Sequence, residues 1–334
     1  MIRTRVLLVD RDEPETDHRD EAAAVLRRGG LVAFATETVY GLGAVATDAQ
    51  AVRGIFAAKG RPSRNPLIVH VANADQAREY AARWDGRAEM LARAFWPGPL
   101  TLIVPRTPAI PEIVTAGGPT VGLRVPAPTV ARRLIERVGL PLAAPSANRS
   151  NRVSPTRAEH VLADLDGRVD LILDSGPASV GLESTVLDLA SDPPRVLRPG
   201  PITASELASL LGVEVGHGPV EADPTTLASP GMLAVHYAPR TRAVRVPSRV
   251  LLPELDWPER AGLIAFEPLP LGLVPDRVAR FILPDPTVAA REFYRALHDL
   301  DARGLDVIVA VEPPAEPAWD ALRDRLRRAT TPGV

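Results

Sequence analysis

The stretch Ala58-Lys59-Gly60-Arg61-Pro62-Ser63-Arg64-Asn65-Pro66-Leu67-Ile68-Val69-His70 takes the chain out of a helix, through a cationic turn and into a short apolar strand. Asp48 is placed to cap a helix running to Ala58, and Leu67 to Val71 reads as the strand that follows. Three cationic side chains, Lys59, Arg61 and Arg64, fall within six residues at that junction, a cluster that suits a phosphate-rich ligand. A plainer reading exists, because cations are comfortable beside a helix C-terminal dipole and most charge clusters are solvated turns. Lys59 weighs against it. It is the only lysine among 39 basic residues, so a chain otherwise committed to arginine keeps the compact ammonium at one position, where the planar guanidinium fork is no equivalent.

Outward from this junction, helix signals and short apolar strands keep alternating, which predicts an α/β fold. Residues 17–28 have a helical pattern that stops at Gly29-Gly30, and 31–34 follow as a strand whose exit is Thr36-Glu37-Thr38-Val39-Tyr40-Gly41-Leu42-Gly43. Helices are predicted at 74–84 and 88–95, the second broken by Trp96-Pro97-Gly98-Pro99. Strands are predicted at 100–104 and 121–125, a helix at 129–138, and a buried strand at 141–144 that ends in Pro145-Ser146-Ala147-Asn148. A helix from about 157, strands at 171–173, 185–189 and 195–197, and a closing helix at 203–211 complete this part. Residues 212–230 dissolve into Gly, Pro, Thr and Ala, a linker-like composition. Strands at 262–266 and 307–311 with helices at 287–303 and 319–328 then predict a second, smaller α/β domain. The expected division is therefore 1–211, a linker or lid at 212–239, and 240–334, a length comfortable for two domains.

The composition narrows the function. A net charge of −2 lacks the basic excess of a general nucleic-acid binder, though a local basic cleft is allowed. With no cysteine, disulfides, thiolate metal sites and cysteine nucleophiles are excluded. The apolar run at the N-terminus is too short for a signal peptide, and no stretch approaches a membrane span, so the expected location is the cytoplasm and no membrane partner is expected.

Gly41-x-Gly43-x-x-Ala46 matches a dinucleotide fingerprint on paper, but six residues, Ala35 to Tyr40, separate the apolar strand from the glycines, and that fingerprint needs the strand to run straight into them. The GxxxxGK[ST] loop and the HExxH pair are absent, and the six histidines have no metal-ligand spacing. Ser146-Ala147-Asn148 presents a hydroxyl and an amide at a strand end, where open α/β sheets bind ligands; Ser and Asn are equally ordinary turn residues. Ser154-Pro155-Thr156 is a helix start whose hydroxyl could meet a phosphate. Arg124, on a short apolar strand, must either snorkel or pair with a buried anion such as a ligand carboxylate. Arg198-Pro199-Gly200 ends another strand with a cation beside a turn. His236-Tyr237 is the one polar-aromatic pair near the linker, and packing alone would explain it.

Taken together, TETVYGLG (36–43), KGRPxxNPLIVHV (59–71), WPGPLT (96–101), GLRVP (122–126), SANxSxxxSPT (146–156), STV (184–186), RPG (198–200) and SPGM…HYAP (229–239) resemble the YrdC-type threonylcarbamoyl-AMP synthases in their longer, two-domain form. The resemblance covers residues from about 20 to 240. It implies a twisted, mixed parallel and antiparallel sheet with a deep, positively lined concave face, joined by an ordered linker to a small Rossmann-like α/β domain. It implies a nucleotidyltransferase reaction in which L-threonine, bicarbonate and ATP give threonylcarbamoyl-adenylate and pyrophosphate. A separate transferase then modifies an adenosine beside the anticodon of certain tRNAs. The implied chemistry needs no protein nucleophile: positioning and charge stabilisation around the phosphates would carry it.

By that correspondence Lys59 and Arg61 are the catalytic cations, and with Arg198 they hold the phosphates, while Asn65, Ser146, Asn148 and Ser154 supply hydrogen bonds. Mg²⁺ arrives with ATP and has no direct protein ligand. Thr38, His70, Arg124, Ala144 and Ser184 surround L-threonine, Arg124 taking its carboxylate, and His236 or Tyr237 closes over the nucleotide as a lid. Three departures stand out: Ala35 replaces a usual proline, Asn151 a usual glycine, and Leu233-Ala234-Val235 a more basic run, so the lid brings fewer charges. The competing reading is an RNA- or tRNA-binding module of the same type without adenylate synthesis. An aromatic content of 4% offers such a module few stacking platforms. A carbamoyl-adenylate former for hydrogenase maturation resembles a fusion carrying zinc fingers, which a chain without cysteine lacks.

Overall fold

The computed structural model describes residues 3–10, 16–218 and 237–333, and these fall into two compact units. The first comprises the described residues up to Ser150, together with Pro155–Ser179 and 183–218; the second comprises Asn151–Ser154, Val180–Leu182 and 237–333.

In the first unit eleven strands form one mixed sheet: β1 (Arg5–Leu8), β2 (Val32–Ala35), β3 (Tyr40–Val45), β4 (Ile68–His70), β5 (Leu100–Pro105), β6 (Thr120–Arg124), β7 (Leu142–Ala143), β8 (Leu171–Asp174), β9 (Thr185–Asp188), β10 (Arg195–Arg198) and β11 (Gly216–His217). Their order is β1-β8-β2-β3-β7-β4-β6-β5-β9-β10-β11. Parallel pairing (β4 with β6, β5 with β9) and antiparallel pairing (β2 with β3, β4 with β7, β5 with β6) are interleaved through the centre. The apolar faces of strands β2 to β10 are buried together with the helices Ala49–Lys59 and Gly86–Phe95. The helix Thr129–Val138 packs into a second cluster with Ala22, Leu26, Val32 and Phe34.

Two features of this sheet set up the site. Strands β4 and β7 are only three and two residues long, so at roughly 3.3 Å per residue their two ends lie within reach of one long side chain. His70 and Arg124 are register partners in the parallel pair β4 and β6, and in such a pair partner residues point to the same face.

Tyr40–Val45 is a strand where the sequence pattern predicts a glycine-containing exit, and β2 and β3 form a tight hairpin across Thr36–Val39. The glycines concealed it, since glycine disfavours strands. Gly43 is there for close packing: a Cβ would lie 2.8 Å from the Phe34 ring. The six-residue gap that argued against a dinucleotide loop is this hairpin.

The second unit carries a five-stranded sheet, β12 (Ala243–Val246), β13 (Ala261–Ala265), β14 (Ala279–Ile282), β15 (Val307–Val311) and β16 (Thr331–Pro332), ordered β14-β13-β15-β12-β16 with every pair parallel. The helices Pro286–Asp301 and Asp320–Ala329 belong to it. Its strands β12 and β14 escape the sequence pattern because each is four residues long and interrupted by an arginine. Among the described residues no helix is long and apolar enough to cross a membrane.

Candidate active site

The helix Ala49–Lys59 begins at Asp48, whose Oδ1 accepts from the amides of Gln50 and Ala51 at 2.8 and 3.1 Å, and ends at Gly60 with φ +61°. Lys59 is its last residue and is buried. Its Nζ donates to the carbonyl of Ser146 at 2.5 Å, to the carbonyl of Asn148, and to Asn148 Oδ1 at 3.4 Å, while its own carbonyl accepts from Ser150 N at 2.9 Å. One lysine thus holds residues 146, 148 and 150 in succession and fixes the whole loop. Burial, and then the Arg61 guanidinium, push the Lys59 ammonium well below the usual lysine range, with Asp164 opposing them.

Arg61 performs a similar task on the other side of the turn. Its Nε and Nη2 donate to the carbonyls of Asn65 and Pro66 at 3.2 and 2.9 Å, closing the loop between helix and strand. This presents Asn65 fully buried, with neither Oδ1 nor Nδ2 of its side-chain amide hydrogen-bonded by any described residue. A buried amide leaves both its oxygen and its nitrogen unpaired only at a cost, and this one lies between two cations of the KGRP turn and the strand it feeds.

The second cluster forms around Arg124. Its Nε donates to the carbonyl of Gly98 at 3.2 Å, and Nη2 donates to Thr38 Oγ1 at 3.0 Å and stands 2.8 Å from Glu37 Oε1. Gly98 is needed in that loop because a Cβ would sit 2.3 Å from the carbonyl oxygen of Phe95. The Thr36–Val39 turn is held by Thr36 Oγ1, which donates to Val39 O at 2.6 Å and lies 2.8 Å from Thr38 Oγ1. His70 packs edge-on against Phe34, and its Nδ1 is buried with no aligned hydrogen bond to any described residue. Burial, then the Arg124 guanidinium, push it well below the usual imidazole range, so it is neutral at physiological pH. Ala144 is buried beside the same strand, its amide donating to Ile68 O at 2.9 Å.

The third cluster joins β9 and β10. Arg198 Nε donates to the carbonyl of Ser184 at 3.1 Å and Nη2 to Ser184 Oγ at 3.0 Å, while Ser184 Oγ is 2.8 Å from Thr101 Oγ1. Gly200 lets the two segments touch: a Cβ there would lie 2.2 Å from Thr185 N.

Of the residues singled out from the sequence, Lys59, Ser146 and Asn148 form one network, Arg61 and Asn65 a second, Thr38 and Arg124 a third with His70 in register, and Ser184 and Arg198 a fourth. Ser154 and Tyr237 lie in the second unit. Ser154 is fully buried and its carbonyl accepts from His298 Nε2 at 3.1 Å. Tyr237 is buried with φ +64°, its ring 5.7 Å from that of Tyr294 and 5.4 Å from the Arg325 guanidinium. His236, the SPGM motif and Leu233-Ala234-Val235 lie outside the described residues. Two residues were missed as site members: Glu37, which sits between two threonines of the quoted hairpin, and Thr101, which ends the WPGPLT stretch. A buried strand arginine requires a nearby anion; the sequence reading offers a ligand carboxylate for it, and the structure adds Glu37.

In the first unit four buried cations, Lys59, Arg61, Arg124 and Arg198, stand with two buried carboxylates, Glu37 and Glu183. Buried charge of one sign is costly unless it is matched, so this arrangement is built for an anionic ligand.

Residues 24–200 match the Sua5/YciO/YrdC family model described as "Telomere recombination", and residues 202–331 match the model described as "Threonylcarbamoyl-AMP synthase, C-terminal domain". The chain is 41% identical over 315 residues to a threonylcarbamoyl-AMP synthase of Pyrococcus abyssi, covering 92% of this chain and 93% of the relative. It is 43% identical over 322 residues to that of Bacillus subtilis, covering 92% of each. The crystal structure of Pyrococcus abyssi Sua5 complexed with L-threonine superimposes with a TM-score of 0.89 at 40% identity, covering 97% of both chains.

Proposed function

The chain belongs to the threonylcarbamoyl-AMP synthase family, and from that premise we propose how its residues divide the work of joining L-threonine, bicarbonate and ATP into threonylcarbamoyl-AMP and pyrophosphate. The observation that carries the reading is the excess of buried cations over buried carboxylates in the first unit, with the buried Asn65 amide left without a hydrogen bond from any described residue beside Arg61. Threonine's amine takes up bicarbonate as a carbamate, whose oxygen attacks the α-phosphorus as pyrophosphate leaves; charge therefore accumulates on phosphate oxygens, where fixed cations lower the barrier most.

Lys59, Arg61 and Arg198 meet the phosphates, Lys59 mainly through the Ser146–Asn148 loop that it holds rigid. Ser146, Asn148 and the Asn65 amide give hydrogen bonds to the nucleotide. Arg124 takes the threonine carboxylate in a charge-assisted bond, with Thr38, His70, Ala144 and Ser184 around the rest of the amino acid. His70, neutral, can serve the threonine hydroxyl without adding charge. Ser184 and Arg198 are directly bonded, so the amino-acid and phosphate ends of the site are set by one contact.

Mg²⁺ enters with ATP as part of the substrate. Carried on the triphosphate, it would neutralise the leaving pyrophosphate. The product passes to a separate tRNA threonylcarbamoyl transferase in the cytoplasm, with tRNA itself at most a weak ligand of this chain.

The test is pyrophosphate release from ATP, measured with and without L-threonine and bicarbonate. Release that requires both is the expected result. No release under any combination, from protein that still binds tRNA, would transfer the case to an RNA-binding module.

A further inference from the structure

Glu37 is the buried charged group of the threonine cluster that the roles above leave unused. Its Oε2 accepts from Ala127 N at 3.0 Å. Its Oε1 stands 2.8 Å from Arg124 Nη2, yet makes no aligned hydrogen bond with any described residue, while Arg124 donates from Nη2 to Thr38 Oγ1 and from Nε to the Gly98 carbonyl. The pair is held by charge, and the lone pairs of Oε1 remain unspent. Arg124 is the one charged group in contact with Glu37 among the described residues.

A neutral Arg–Glu pair matches a neutral zwitterion. When a threonine carboxylate takes the Arg124 fork, Glu37 loses its cation, and a buried carboxylate without one is strongly disfavoured. The α-ammonium of the same threonine, two bonds from its carboxylate, is the cation delivered to replace it. One internal ion pair is thus exchanged for two pairs with the ligand, and no buried charge is left alone.

We propose that Glu37 receives the α-ammonium of L-threonine and is the base that frees the amine for carbamate formation; this rests on the synthase reading above. The ammonium passes one proton to Glu37 and becomes an amine. The nitrogen lone pair forms a bond to the carbon of bicarbonate, and the C–OH bond breaks. The hydroxide leaves as water with the second proton from nitrogen, giving the carbamate. The proton on Glu37 returns to solvent after turnover.

Glu37→Gln keeps an oxygen for Ala127 N and cannot take a proton. The assay is pyrophosphate release between about pH 6.5 and 9.5 at saturating ATP and bicarbonate, expressed as the ratio of variant to wild type. The expected result is a kcat about 100-fold lower near neutral pH, with the ratio climbing towards tenfold per pH unit as solvent takes over the deprotonation. A deficit that is constant with pH and lies in the KM for threonine alone would overturn the proposal and leave Glu37 as a brace for Arg124. If Glu37→Gln shows no cooperative melt, Glu37→Asp carries the test. Its withdrawn carboxylate should lower kcat about tenfold with the wild-type pH dependence, and an unchanged kcat overturns the proposal. A wild type that releases no pyrophosphate with threonine and bicarbonate refutes the synthase reading itself.

Discussion

Replacing Lys59 with arginine preserves the charge and tests whether geometry is what the lysine supplies. Its Nζ makes two short bonds to the carbonyls of Ser146 and Asn148 and a longer one to Asn148 Oδ1. A hydrogen bond from a charged donor contributes roughly 1.5–3 kcal/mol, and a longer planar fork in the same buried space cannot reproduce all three contacts, so at least one is lost. The extra atoms overpack a closed site, which typically costs about 1–3 kcal/mol. Together these predict a loss of about 2.5–6 kcal/mol, and at roughly 2–4 °C per kcal/mol for a unit of this size, a melting temperature lower by roughly 5–24 °C. The displaced Ser146–Asn148 loop should also lower pyrophosphate release about 100-fold, equivalent to about 2.7 kcal/mol of barrier. Thermal melting and the threonine- and bicarbonate-dependent release of pyrophosphate measure the two effects. A variant within about 2 °C and twofold of wild type would refute the argument that Lys59 works by fixing this loop.

Three further predictions rest on other parts of the site. Burial and Arg124 lower the pKa of His70, so above 6.5 it costs nothing; between its folded pKa and 6.5 the unfolded chain binds a proton that the folded chain refuses, and stability falls with falling pH by up to about 1.4 kcal/mol per unit. His70→Asn should flatten that limb of the curve of melting temperature against pH, and an unaltered slope would show that His70 is not its source. Gly200→Ala drives a Cβ to 2.2 Å from Thr185 N and must separate Arg198 from Ser184, so both the threonine and the ATP requirement should rise, whereas Arg124→Ala should raise mainly the threonine requirement; the reverse pattern in steady-state kinetics would place the two clamps wrongly. Asn65→Leu removes two buried unpaired atoms, so the protein should melt at the same or a higher temperature while the KM for ATP rises about tenfold. A large drop in melting temperature would mean that the amide serves the fold instead.

The sequence disclosed what repeats locally and concealed what is assembled from a distance. The helix Thr129–Val138 and the strand Val307–Val311 could be read directly because their apolar periodicity is a property of adjacent residues. The strand Tyr40–Val45 could not, because the reason for its glycines is the Phe34 ring on the neighbouring strand. The same distinction governs the site. Lys59 stood out by its rarity and Arg124 by its burial on an apolar strand, but the partners that give each its task lie 87 and 86 residues away along the chain.

That distance also bears on how these cations act. Each of Lys59, Arg61, Arg124 and Arg198 spends at least part of its donor set on backbone carbonyls: those of Ser146 and Asn148, Asn65 and Pro66, Gly98, and Ser184. A cation whose only task was to meet phosphate would leave those donors to water or ligand. Tied to carbonyls, it cannot relax when charge develops on the substrate, and its field is in place before the reaction begins. Fixed charge of this kind stabilises a transition state without reorganisation at the moment of reaction. On the proposed assignment, a chain without a nucleophilic cysteine would activate a carbamate by holding four cations still, and Lys59, which fixes a loop as well as a charge, would be the one whose geometry tolerates least change.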